Sequence, residues 1–214
     1  KYIYAKTNYA DYAVSKITGN ITSIIKNGEE LLAQPVCLTA WRAPTDNDRK
    51  IKYTWGLLED TRSGMNMNCI FTKVYSCEVC GNEITVKGNL AGISRIPFVY
   101  HTIRYKFYEN GVQIIADGEI NEKMNCSFIP RLGFEFTLNK ENDSFTYFGM
   151  GDSENYCDMC HHAKIGKYTS CAEREYVNYI MPQEHGNHYG VKYLQIGKLV
   201  FTAAQGMEIN VSRY

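Results

Sequence analysis

Along most of this chain apolar and polar residues alternate with a period of two, the signature of half-buried β-strands. Residues 9–14 and 21–25 alternate on either side of Lys16-Ile17-Thr18-Gly19-Asn20, whose Gly-Asn pair predicts a tight turn between strands. A second turn, Asn27-Gly28, sits inside Lys26-Asn27-Gly28-Glu29-Glu30. Further strands are expected over 74–80, 84–90, 98–108, 112–120, 131–137, 144–148, 191–196 and 199–203, with Glu109-Asn110-Gly111 as a hairpin turn. Only residues 53–60 read as helical, and that stretch is short. Strands at near-regular spacing with turn signals between them predict an all-β sandwich. Alternating strand and helix units are absent, which excludes a TIM barrel or a Rossmann sheet. No repeat, linker or low-complexity segment interrupts the pattern, so one domain is expected over residues 1–214. Both ends of the chain read as strand, which suggests a piece of something longer.

Composition narrows the function classes. The 214 residues are 44% apolar and 21% charged, an ordinary globular balance. Tyr (17) and Phe (9) are abundant, as pleated half-buried surfaces favour. Lys+Arg and Asp+Glu number 23 each, so no basic surplus is available for phosphate neutralisation and nucleic acid is not an expected partner. No apolar run approaches the roughly 20 residues that span a bilayer, and Lys1-Tyr2-Ile3-Tyr4-Ala5-Lys6 has no signal-peptide core. Eight cysteines are too few for a disulfide scaffold at this length. Two of the pairs, Cys77-x-x-Cys80 and Cys157-x-x-Cys160, have zinc-knuckle spacing. Strand alternation around the first, however, points its two thiols to opposite faces. Free thiols and no metal are the expectation, and free thiols imply a reducing cytoplasm.

Three polar segments break the strand rhythm. In 38–50, Pro44 ends a strand, and Asp46, Asn47 and Asp48 can bond their own backbone into a shaped loop beside Trp41 and Arg42. Such a loop either only reverses the chain or forms the edge of a site, and spacing does not separate the two. The second segment, 147–158, contains Gly149-x-Gly151 but lacks the third glycine and the helix of a dinucleotide motif. Glu154 and Asp158 there suit a general acid/base pair, although structural hydrogen bonding is the commoner use. In the third segment, 179–190, Glu184, His185 and His188 suit metal ligation or titration near neutral pH, against an exposed turn that leaves them to solvent. Neither a Gly-x-Ser-x-Gly elbow nor a His-Glu-x-x-His pair occurs.

In this order, these segments resemble the C-terminal small-chain domain (domain 5) of family 2 β-galactosidases. The run Trp41-Arg42-Ala43-Pro44-Thr45-Asp46-Asn47-Asp48 matches that family's Trp-Arg-Ala-Pro-x-Asp-Asn-Asp pattern. Ile17-Thr18-Gly19-Asn20-Ile21 and Asn27-Gly28-Glu29-Glu30-Leu31-Leu32 resemble its first turn and hairpin. Pro130-Arg131-Leu132-Gly133, the Tyr147 to Asp158 segment and Pro182-Gln183-Glu184-x-Gly186 match three more motifs. Departures occur at Met159 and His188, where the family commonly and often, respectively, carries Arg. The family's chain also continues beyond the strand near Ile209 into a stretch whose Trp lines the galactoside pocket, so the resemblance implies a sandwich cut short at its C-terminal end.

What the resemblance implies is an antiparallel supersandwich of the galactose mutarotase-like type. In the full enzyme, retaining hydrolysis of terminal β-D-galactosides such as lactose uses two glutamates about 5 Å apart in a separate barrel. This chain would then be an accessory domain that binds carbohydrate and completes the active site, with no catalytic residue of its own. The resemblance places Trp41, Arg42, Asp46, Asn47, Asp48 and residues 49–55 near that site. It makes Arg131, Glu154, Asn155, Asp158 and Glu184 a structural polar network, since buried charges must be paired or hydrogen-bonded. No cofactor is expected here, while magnesium and sodium are implied for the parent. Implied partners are the other domains of that parent, its galactoside and further copies of itself, with no membrane. The alternatives are a mutarotase- or epimerase-like domain, for which His101, His161, His162, His185 and His188 are available, and a stand-alone sugar-binding module.

Overall fold

A computed structural model describes residues 1–49, 66–123 and 128–213, and these form fourteen strands and one 3-10 turn. Every strand pairing is antiparallel. The chain divides into two compact units, residues 1–138 and 139–214.

In the first unit, β1 (Tyr2–Lys6), β2 (Asp11–Ser15), β3 (Ile21–Lys26) and β4 (Glu29–Glu30) form a four-stranded sheet in chain order. The β3–β4 turn is the Asn27-Gly28 pair, at φ 53° and 80°. Two successive left-handed residues are what a tight hairpin demands, and Asn-Gly supplies them at least steric cost. After β5 (Cys37–Thr39), the strands β6 (Phe71–Cys80), β7 (Glu83–Ala91), β8 (Pro97–Tyr108) and β9 (Gly111–Ile120) make a second four-stranded meander. The short β10 (Gly133–Glu135) returns to pair with β5.

The two four-stranded sheets face each other. On β8, alternation buries Val99, His101, Ile103, Tyr105 and Phe107, while Tyr100 and Tyr108 remain exposed. The buried Tyr105 hydroxyl donates across the sandwich to the Gly19 carbonyl at 3.0 Å. Gly19 lies so close to the opposite sheet that a Cβ there would stand 2.5 Å from Val86 Cγ1. Tyr12 packs on Phe107 with ring centroids 5.3 Å apart. Burying such side chains from both inner faces is the main stabilising term, about 1.5–3 kcal/mol for each large one.

The second unit is built on one sheet, ordered β12-β11-β13-β14, from β11 (Ser144–Gly151), β12 (Lys164–Cys171), β13 (Asn187–Ile196) and β14 (Leu199–Asn210). Phe145, Tyr147, Val191, Leu194, Ile196, Leu199 and Ile209 are buried in it. Gly149 admits the neighbouring strand closely, since a Cβ there would lie 2.8 Å from Val191 Cα.

The expected strands are present, and several run longer than periodicity suggested; β14, for example, continues to Asn210. The edge strand β12 was not expected at all. Cys77 and Cys80 both sit within β6, pairing with Val86 and Glu83, so no knuckle interrupts that strand. The helix expected over 53–60 lies outside the described residues.

Candidate functional site

The Trp-Arg-Ala-Pro-x-Asp-Asn-Asp run leaves β5 and is shaped around one buried carboxylate. Asp48, 5% exposed, receives Arg42 Nη1 at 2.6 Å and Nη2 at 3.4 Å, a bidentate pair. The same carboxylate accepts the Thr45 backbone N–H at 2.6 Å and the Thr45 hydroxyl at 2.8 Å. Burial alone would raise the Asp48 carboxyl, but the hydrogen bonds from Arg42 and Thr45 outweigh it and hold it below the usual carboxylate range. Arg42 also donates to the Ala43 carbonyl and, from Nε, to the Pro130 carbonyl at 3.2 Å, which ties the loop to the segment leading into β10.

With Asp48 turned inward, the 3-10 turn Asp46–Asp48 presents Asp46 and Asn47 to solvent. Asp46 pairs with the exposed Arg49 at 3.2 Å. Trp41 is half-buried, its backbone N–H held by the Thr39 hydroxyl at 3.1 Å. The run is therefore a platform held by the Arg42–Asp48 pair, with Asp46 and Asn47 exposed and Trp41 half-buried. Residues 50–55, expected beside it, lie outside the described residues.

Arg131 belongs to the first unit; Glu154, Asn155, Asp158 and Glu184 belong to the second. Asn155 is fully buried and is the hub among them. Its Nδ2 donates to the Met150 and Ser153 carbonyls, and its Oδ1 accepts the Tyr189 N–H at 2.8 Å. Asn187 Nδ2 bridges from the Asn155 carbonyl to Glu208. Glu154 accepts the Gly186 N–H at 2.8 Å and the Tyr179 hydroxyl. That hydrogen bond, with burial, pushes Tyr179 up to about 12, so it stays a donor. Glu184 receives Asn210 Nδ2 at 3.3 Å. Asp158 stands apart from this buried group, exposed in the turn closed by Tyr156 and Met159.

Histidine placement differs from an exposed turn. His188 falls on β13 and is completely buried, with Nε2 at 2.7 Å from Glu175 and Nδ1 at 3.1 Å from the Tyr147 hydroxyl. Glu175, 6% exposed, also accepts the Ser170 hydroxyl. Burial first, then the Glu175 charge, drives the Tyr147 hydroxyl well above its ordinary value. Glu175 went unnoticed in sequence because it stands in a polar, non-alternating stretch, Cys171-Ala172-Glu173-Arg174-Glu175, that carries no motif. His185 meets the Glu175 carbonyl and the edge of Tyr176; His161 and His162 are exposed.

His101 lies apart, buried in the first unit. Among the described residues no group of three or more His, Cys, Asp or Glu side chains could hold a metal ion, and no helix is long and apolar enough to cross a membrane. Every described cysteine is a free thiol.

With strands, platform and polar hub in view, comparison with known proteins gives the class. Residues 6–214 match the family model described as beta galactosidase small chain, and the chain belongs to that family. It is 32% identical over 207 residues to a beta-galactosidase of Actinobacillus pleuropneumoniae, which covers 95% of this chain and 20% of that protein. A beta-galactosidase of Lactobacillus delbrueckii subsp. bulgaricus is 29% identical over 214 residues, 97% of this chain and 20% of that protein. One from Streptococcus thermophilus is 28% identical over 184 residues, 84% of this chain and 17% of that protein. The chain thus spans about one fifth of the length of these relatives.

Proposed function

We propose that this chain is the accessory, carbohydrate-facing domain of a β-galactosidase, a retaining hydrolase of terminal β-D-galactosides such as lactose. The match of residues 6–214 to the small-chain family carries this reading. The chain's part is to shape the rim of the galactoside site with the platform on which Trp41, Asp46 and Asn47 stand. Arg42 and Asp48 hold that platform rigid, and the chemistry is supplied by other domains of the parent. The resulting enzyme is a cytoplasmic homo-oligomer with a galactose mutarotase-like supersandwich at this position, and any magnesium or sodium it uses is held elsewhere. A rim role fits the residue types on this loop: an exposed carboxylate and amide together with a half-buried indole suit the hydroxyls and apolar face of a sugar.

The test is steady-state hydrolysis of a chromogenic galactoside by the parent protein. Asp46→Ala should lower kcat/KM by about tenfold, the loss of one charge-assisted hydrogen bond at the site, whereas Asp11→Ala, at an exposed position of β2, should not. Equal activities would remove the platform from the mechanism.

A further inference from the structure

Two Cys-x-x-Cys pairs share one spacing but stand on different backbones, and the difference separates their chemistry. Cys77 and Cys80 lie in the regularly paired part of β6, opposite Val86 and Glu83. A strand advances about 3.3 Å per residue, which sets their Cα atoms about 10 Å apart. Two cysteines more than about 7 Å apart cannot be bridged without backbone movement. Strand alternation also points these two thiols to opposite faces.

Cys157 and Cys160 belong instead to a reversal. Tyr156 and Met159 exchange both N–H···O hydrogen bonds, at 3.1 and 2.9 Å, with Cys157 and Asp158 as the turn between them. The Ala163 N–H then returns to the Cys160 carbonyl at 3.0 Å, so the chain turns again directly after Cys160. Within this double turn the Cys160 thiol is folded back and donates to the Cys157 carbonyl at 3.7 Å. Cys157 is exposed, so its side chain can change rotamer through solvent to meet that thiol. Among the described residues no group of three or more His, Cys, Asp or Glu side chains could hold a metal ion, which leaves the pair as a dithiol rather than half of a zinc site.

We propose that Cys157 and Cys160 form a thiol–disulfide exchange site whose substrate is a low-molecular-weight disulfide. The Cys157 thiolate attacks one sulfur of that disulfide, forming a mixed disulfide and releasing a first small thiolate, which takes up the proton that Cys157 gave up. The Cys160 thiolate then attacks the Cys157 sulfur, which forms the Cys157–Cys160 bond and releases the second small thiol. Two electrons pass from the cysteine pair to the small disulfide, and both cysteine protons end on the released thiols. Exposure sets the roles: Cys157 meets the incoming molecule, and the half-buried Cys160, held against the turn, resolves it.

The experiment starts from the native protein carrying this chain, fully reduced, and treats it with oxidised glutathione at neutral pH. Remaining thiols are blocked with iodoacetamide, and tryptic peptides are mapped by mass spectrometry. The two pairs fall in separate peptides, residues 74–87 and 141–164. The 141–164 peptide should lose both alkylation sites and two hydrogens, while the 74–87 peptide should show no internal bond. Cys160→Ser should stall with a glutathione held on Cys157. Full alkylation of Cys157 and Cys160 in the wild type overturns the proposal, as does a glutathione on Cys157 that never resolves. Equal closure of Cys77 and Cys80 in the native protein also overturns it, because spacing rather than the turn would then be the cause. A Cys160→Ser protein that folds and takes no glutathione on Cys157 does the same; should that variant not fold, the wild-type map decides alone.

Discussion

Neither ring nitrogen of the buried His101 has a hydrogen-bond partner among the described residues, and burial lowers its pKa. The folded protein therefore resists a proton that the unfolded chain accepts below about pH 6.5. Below that pH the unfolded state binds more protons, so stability is full above it and falls as pH drops toward the depressed folded value. His101→Leu should remove that component and stabilise the protein at neutral pH by about 1 kcal/mol, since two unpaired polar atoms leave the core. Urea midpoints of both proteins at pH 7.5 and 5.5 check this; parallel losses would contradict it. Asp48 is the opposite case, a buried polar group with every need met. Asp48→Ala leaves the Arg42 guanidinium, 18% exposed, without its main anion, and should cost about 2–3 kcal/mol in denaturant unfolding. Asp46→Ala in the same platform should leave stability within about 0.5 kcal/mol, because its pair with Arg49 is exposed.

Elements whose register depends on a turn were legible from residue type. The Asn27-Gly28 and Glu109-Asn110-Gly111 turns stand where the sequence places them, because the positive φ at Asn27, Gly28 and Gly111 selects Asn and Gly locally. Gly19 is different: its φ of 74° is a local demand, but its contact with Val86 comes from the opposite sheet. Gly28, at φ 80°, meets nothing within 4 Å of a built Cβ. Gly28→Ala should therefore cost only the conformational strain, about 1 kcal/mol, and Gly19→Ala that strain plus overpacking, about 2–4 kcal/mol. Thermal unfolding of the two variants side by side distinguishes them, and equal losses would mean Val86 yields freely. The edge strand β12, Lys164–Cys171, escaped notice because half of its residues are exposed and none is fully buried. Its alternation is too weak to read. Pairing with β11 through eight consecutive registers, not composition, makes it a strand.

Across the whole molecule, two groups of titrations act in sequence as pH falls. The first is the uptake resisted by His101. The second involves carboxylates held below their ordinary range. Burial would raise both Asp48 and Glu30, but hydrogen bonds outweigh it, from Arg42 and Thr45 at Asp48 and from Ser23 and the Ile24 and Leu32 amides at Glu30. A carboxyl with a depressed folded pKa contributes stability above its unfolded value, near 4, and loses it as pH falls through the folded one. Denaturant midpoints measured from pH 7.5 to 3 should thus decline in two stages, a shallow one below about 6.5 and a steeper one below about 4. In Glu30→Gln the second stage should shrink while the first is unchanged.

Residue order alone was enough to establish an all-β antiparallel chain, most of its strands, its tight turns and its family. Side-chain alternation and left-handed turn residues are local properties, written in neighbours one to four positions apart. The Trp41–Asp48 motif was visible as well, but not its division of labour. Which carboxylate turns inward depends on the Arg42 guanidinium and the Pro130 carbonyl, 88 positions from it along the chain. Packing likewise drew Tyr147, Glu175 and His188 into one buried hydrogen-bonded line, from three segments with no shared motif. Such contacts arise when strands and loops close over a common interior. There each buried polar group must take its partner from whatever strand or loop the closure brings beside it.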